Sequence, residues 1–176
     1  EFLKPDLDHE ALWKSWVTFR SKGIYEDIVS MNIENIDTMT FQAIWEYNLG
    51  KNISDNDLNI ALEQKNKCTQ QINNIFNNYD FLALPSAQVF PFDKYKQFPE
   101  TINHINIDTY HRWLEIFILS SLLELPTMTI PIGFNKKGFP MGMQIIAKRK
   151  DDLKLFAFAK KYEQVFNYSK NKPLLN

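Results

Sequence analysis

"LELPTMTIPIGFNKKGFPMGMQII", residues 123–146, holds three of the chain's five glycines and three of its eight prolines. It reads as an apolar strand, a turn around Gly133, a lysine-bearing loop and a second apolar strand. Pro126 and Pro131 bracket the first strand and fix its entry and exit, and Gly133 is expected to permit the turn. The "NKKG" segment makes a solvated loop in which Gly138 takes a positive φ. Gly142, inside the second strand, is expected to let a neighbouring backbone come close.

Two buried-type strands here imply more sheet elsewhere. "YDFLALPSAQVFPFD" (79–93) holds a short uninterrupted apolar run over 81–84 ended by Pro85, the pattern of a strand covered on both faces. "DTYHRWLEIFILSSLL" (108–123) has helical length, with Asp108 as its expected cap, and its later turns are apolar all round, so it needs cover on several sides. A last helix starts at Asp151 or Asp152, with Leu155, Phe156, Ala159, Tyr162 and Phe166 on one stripe.

The first half is helical. Leu12, Trp13, Trp16, Val17 and Arg20 recur at helical spacing over 9–22, with Gly23 as the expected stop. Thr38 caps a second helix over 38–49, with Phe41, Ile44 and Trp45 inward and Gly50 as stop. Ser54 or Asp55 caps a third, whose stripe is Leu58, Ala61, Leu62, Cys68, Ile72, Ile75 and Phe76. The predicted class is α/β: a helical segment over 1–78, then strands and helices over 79–176, one incomplete domain with a mixed β-sheet flanked by helices. Three buried-type strands exceed what these polar helices can cover, so part of the native sheet is expected to lie outside this chain.

Composition bounds the function. Of the 176 residues, 44% are hydrophobic and 23% charged, with a formal net charge of −1. That balance argues against a nucleic-acid partner, which calls for a basic excess. No apolar run reaches membrane-spanning length, so no membrane partner is expected. The start "EFLKPDLDHE" carries neither Met nor a secretory pattern, which predicts a fragment, or the mature part of something longer, and the single cysteine fits a cytoplasmic setting. The single Cys68 allows no internal disulfide and reads as a small buried residue. With five glycines, none adjacent, the chain has no loop able to cradle a phosphate or build a backbone oxyanion hole.

Residues 79–93, 108–146 and 153–164 together resemble the C-terminal portion of the amidase signature family. That family shows a Tyr/Phe-Asp-x-Leu-x-x-Pro-Thr/Ser strand, then Gly-Leu-Pro-x-x-x-x-Pro-x-Gly-Phe, then Gly-Leu-Pro-x-Gly-x-Gln-Ile, then a helix ending Tyr-Glu-Gln. Order and spacing agree over about residues 79–165, and the 38–78 helices, including "WEYNLGKNISDND", fit the preceding family segment. Two departures stand out: Glu124 where Gly is usual before Leu-Pro, and Ala147 where Gly commonly follows Gln-Ile-Ile.

The resemblance implies hydrolysis of a linear amide at a Ser–cis-Ser–Lys triad, without metal or cofactor. A neutral Lys takes a proton through the bridging Ser while the second Ser attacks the carbonyl. Those residues belong to the family's N-terminal half, and nothing here resembles its Gly-Gly-Ser-Ser-Gly-Gly core. No catalytic residue is therefore assigned in this chain, which is expected to be inactive alone, with the absent N-terminal half as its partner. A second copy of the chain is a further candidate partner.

Candidate binding residues follow from the same resemblance. The segment before the Gly-Leu-Pro strand lines part of the acyl pocket, which nominates Tyr110, Trp113, Leu114 and Phe117 as pocket walls. Relatives that serve as tRNA amidotransferase subunits carry an Asp at the place of Leu114. A Leu cannot bind an ammonium, so an apolar or aromatic small-molecule amide is the expected substrate; a one-residue offset would put Glu115 there instead. Ser86 and the Ser120–Ser121 pair read as structural rather than nucleophilic. His9, His104 and His111 form no metal pattern, and His111 is expected to face solvent or cap a polar contact. Asp80 is expected to pair with Arg20, Arg112 or Lys148. The alternatives are a non-catalytic interaction module and a protein like the A subunit of an amidotransferase.

Overall fold

The computed structural model describes residues 1–33 and 35–171 and falls into two units, Glu1–Asn74 and Ile75–Asn176. The first is helical: α1 (His9–Ser30), α2 (Phe41–Lys51) and α3 (Asp55–Ile75). Asp8 caps α1 by accepting from the Ala11 N–H at 2.9 Å.

Gly23 does not stop α1. The apolar stripe continues beyond it to buried Ile28, and Tyr25 packs on Tyr47 with ring centroids 5.2 Å apart. Those contacts outweigh the roughly 1 kcal/mol cost of a helical glycine. Thr40, not Thr38, caps α2, accepting from Ala43 N–H, and Phe41 at its first position is exposed. Gly50 lies inside α2, where a β-carbon would stand 2.1 Å from the Ser21 carbonyl oxygen of α1. Its role is close helix approach rather than termination.

A buried carboxylate ties the same two helices. Glu46 accepts from Arg20 Nε at 2.7 Å through one oxygen and from the Ser21 hydroxyl through the other. A carboxylate this buried is tolerable only when both oxygens find donors. Arg20 in turn lies 5.3 Å from the centre of the Trp16 ring.

Helix α3 opens with a reciprocal cap. Ser54 N–H donates to Asp57 Oδ2 at 2.9 Å, and Asp57 N–H donates to Ser54 Oγ at 3.2 Å. The Ser54 hydroxyl, then its N–H, holds the Asp57 carboxyl below its ordinary range. Ala61, Cys68 and Ile72 are buried along α3, whereas Leu62, expected on that stripe, is exposed.

In the second unit, strands β1 (Phe81–Pro85), β4 (Thr127–Phe134) and β5 (Pro140–Ala147) form an antiparallel sheet in the order β1-β5-β4. A hairpin, β2 (Thr101–Ile102) and β3 (Ile105–Asn106), turns through Asn103 and His104, both at positive φ. The α/β class holds. Central β5 is continuously buried at its C-terminal end; Ala83 of β1 and several residues of β4 are exposed, as befits edge strands rather than strands covered on both faces.

Period-two alternation splits β5 between two layers. Ile145 and Ala147 join Ile130 and Leu155 in a core shared with α5 (Asp152–Phe166), edged by Phe81, Phe158 and Tyr162. Phe158 takes the core place expected for Phe156, which is 63% exposed. Tyr162 donates its hydroxyl to the Pro131 carbonyl at 2.7 Å.

Gly133 is not the turn. It sits at φ 128° where the β4–β5 register slips between Pro131 and Gly133, so it serves a β-bulge and the strand runs on to Phe134. The reversal comes at the Asn135–Gly138 turn, with Gly138 at φ 81° as expected. Glu124 adopts φ 54°, the left-handed conformation that a glycine takes easily, and its carboxylate pairs with Arg149. Asp80 pairs with Lys154 at 2.5 Å, not with Arg20, Arg112 or Lys148.

Two glycines predict opposite responses. G50A must drive α1 and α2 apart and is expected to cost about 3 kcal/mol. G23A has nothing within 4 Å and should gain up to about 1 kcal/mol; urea unfolding of both variants checks the pair. Cys68 gives a pH test. Burial pushes its thiol pKa up to about 11, whereas in the unfolded chain it ionises near about 8.5. Its contribution is intact below that value and is lost as pH rises toward 11, because the unfolded state releases its proton first. C68A should flatten that part of the stability profile, measured between pH 8 and 10.5.

Candidate functional site

The site grows from the end of β1. Ser86 N–H donates to the Gly142 carbonyl at 2.9 Å, carrying the β1–β5 ladder one residue past Pro85 before the chain leaves as a loop. A β-carbon on Gly142 would stand 2.5 Å from Ser86 Oγ and 3.0 Å from Thr129 Cγ2. The expected close approach at Gly142 is thus made mainly by side chains.

Opposite this junction, residues 108–123 do not form the single helix expected. A 3₁₀ helix (Arg112–Phe117) leads into a short α4 (Ile118–Leu122), and Asp108 caps neither. The cause is visible at Ile116. Its carbonyl accepts from Gln144 Nε2 at 2.9 Å and its N–H donates to Gln88 Oε1 at 3.4 Å. Groups an α-helix would pair internally are taken by the sheet and the loop.

Gln144 is the hub of this arrangement. Fully buried on β5, it also donates to the Pro85 carbonyl at 3.0 Å and accepts from the Ser120 hydroxyl at 3.4 Å. One side chain therefore fixes the end of β1, the 3₁₀ segment and α4 around the central strand. Ser120 plays the packing role expected of it.

Between these pieces lies an open cleft of about 290 Å³. Its walls are Ser86, Ala87 and residues 89–92 on the loop, Trp113 on the 3₁₀ helix, and residues 140–142 at the start of β5. Trp113 meets Phe92 edge-to-face, with centroids 5.5 Å apart and an interplanar angle of 86°. No lining residue carries a charge. Such a surface favours flat, uncharged groups, since a buried charge would find no partner.

Of the four nominated pocket residues, the structure places Trp113 in this wall. Tyr110 stacks on His111 instead, and Leu114 and Phe117 lie half-buried outside the lining. Glu115 is engaged by Arg112 at 3.2 Å and is also outside it. His111 does not face solvent: it is buried, with Nδ1 2.8 Å from Thr109 Oγ1. Among the described residues, no grouping of three His, Cys, Asp or Glu side chains is placed to hold a metal, and no helix is long and apolar enough to cross a membrane.

Sequence reasoning did not nominate Phe92, Pro140 or Met141, nor give Gln144 a role. The Phe-Pro-Phe run at 90–92, beyond the end of β1 at Pro85, was the available signal for the loop wall. For Gln144, the signal was a polar residue inside an otherwise apolar strand.

Comparison with known proteins adds independent information. The family model described as Amidase matches residues 20–156. The chain is 34% identical over 98 residues to the A subunit of the glutamyl-tRNA(Gln) amidotransferase of Macrococcus caseolyticus (strain JCSC5402), covering 56% of this chain and 19% of that protein. It is 36% identical over 102 residues to the protein of the same name from Thermodesulfovibrio yellowstonii (strain ATCC 51303 / DSM 11347 / YP87), covering 57% and 19%. Its matched part thus spans about a fifth of the length of these relatives. Among solved structures, a bacterial aryl acylamidase of the amidase signature enzymes superposes with TM-score 0.82 at 19% identity, over 99% of this chain and 39% of that one. The 6-aminohexanoate cyclic dimer hydrolase superposes with TM-score 0.75 at 17% identity, over 93% and 36%. These structural likenesses establish the fold.

Removing the hub tests its role. Q144L leaves the Pro85 and Ile116 carbonyls without that donor and should cost about 3 kcal/mol, read from urea unfolding, with the Trp113 indole N–H resonance shifted in the still-folded variant.

Proposed function

Since the chain belongs to the amidase signature family, we propose that it forms the C-terminal part of a cytoplasmic hydrolase that splits a linear carboxylic amide into a carboxylate and ammonia or an amine. The observation that carries this reading is the family match over residues 20–156. In the proposed division of labour, the Ser–cis-Ser–Lys machinery lies on a part of the protein outside this chain. The described residues contribute scaffold and one wall of the substrate pocket. The uncharged lining around Trp113 supports an apolar or aromatic amide over one bearing an ammonium group.

A second reading, a protein like the A subunit of an amidotransferase, is favoured by the names of the curated relatives. It requires a glutamine site, and the cleft offers no carboxylate for the glutamine amino group.

Ammonia release separates the readings. Benzamide, an aliphatic amide and glutamine are offered to this chain alone and to the protein extended by its upstream segment. Turnover of benzamide only by the extended protein is the expected result. Glutamine as the sole substrate would turn the assignment to the amidotransferase reading. No turnover of any amide by the extended protein would leave a non-catalytic interaction module as the better account.

A further inference from the structure

We propose that the Ser86 hydroxyl is the polar anchor of the cleft and makes it selective for a neutral aryl carboxamide, a refinement that rests on the amide-hydrolase reading. Beside the Trp113 indole N–H, which can only donate, this hydroxyl is the one polar side-chain group of the lining and the one that can also accept. Ser86 Oγ makes no hydrogen bond within the described residues, although its own N–H is committed to Gly142. It is held in place by contact: the bare Cα of Gly142 is what leaves room for it.

The geometry specifies a ligand with two features. Phe92 and Trp113, set edge-to-face, together with Pro140 and Met141 of the same lining, present surfaces that suit a single flat ring. A volume near 290 Å³ admits a ring with a small substituent. A hydroxyl can donate to a carbonyl oxygen and accept from an amide N–H, so a carboxamide satisfies both of its capacities. A carboxylate would enter a lining without any cation and lose its hydration uncompensated. The same chemistry separates substrate from product: the neutral amide is held and the anion formed from it is not. Ser86 is a binding residue in this scheme, with no base hydrogen-bonded to it and no part in bond cleavage.

The test is direct binding to this chain, independent of turnover. The Trp113 indole N–H resonance, identified by its loss in W113F, is followed during titration with benzamide, toluene and benzoate. Benzamide should shift it with millimolar affinity, as befits a fragment of this size. Toluene should bind more weakly, and benzoate at least about 10-fold more weakly than benzamide. S86A should weaken benzamide by about 3- to 10-fold and leave toluene unchanged, and the toluene result confirms an intact cleft in the variant. Equal affinity for benzamide and toluene, a preference that survives S86A, or benzoate binding as well as benzamide would each overturn the proposal. Benzamide binding here, with no hydrolysis by the extended protein, would sink the hydrolase reading and keep the anchor; hydrolysis with no shift at Trp113 would do the reverse.

Discussion

The second unit depends on one amide side chain. Gln144 stands on the strand that pairs on both sides, and its carboxamide reaches the end of β1, the 3₁₀ helix and α4. The Pro85 and Ile116 carbonyls take its two N–H groups, and its oxygen takes the Ser120 hydroxyl, so its loss leaves part-buried polar groups on all three segments without their partner. Because one group satisfies them together, the three segments cannot shift independently. The cleft wall at Trp113 and the cleft wall at Ser86 are therefore set relative to one another through the sheet, not through the exposed loop.

The first unit solves a comparable problem with charge and proximity. Glu46 needs Arg20 and Ser21, and the pair can form because Gly50 lets α2 rest on the α1 backbone at Ser21. Contact precedes hydrogen bonding in this logic: a methyl group at position 50 would separate the donors from the acceptor. A glycine inside a helix here signals packing, not an end.

That distinction marks how far the sequence could be read. Strands β4 and β5, the Ser54 cap and the last helix were legible, because prolines, caps and apolar periodicity are local signals. Gly23, Gly50 and Gly133 were misread as punctuation, since the contacts that explain Gly50, and the register slip at Gly133, come from residues distant in sequence or from a paired strand. The 3₁₀ break over 112–117 was invisible for the same reason: Gln88 and Gln144 that cause it lie 28 residues away on either side of Ile116. Trp113 was reached by resemblance, but the loop wall at Phe92 has no periodicity to betray it.

The two outer strands carry a further consequence. Each contains a proline that lacks an N–H and whose carbonyl is already held, Pro85 by Gln144 and Pro131 by Tyr162. A strand laid along β1 meets that block after residues 81–84, and one laid along β4 meets it after 127–130, followed at once by the bulge. Neither edge can template a long intermolecular ladder. The same two bonds that shape the core and the cleft therefore also guard an exposed sheet against growing into an aggregate.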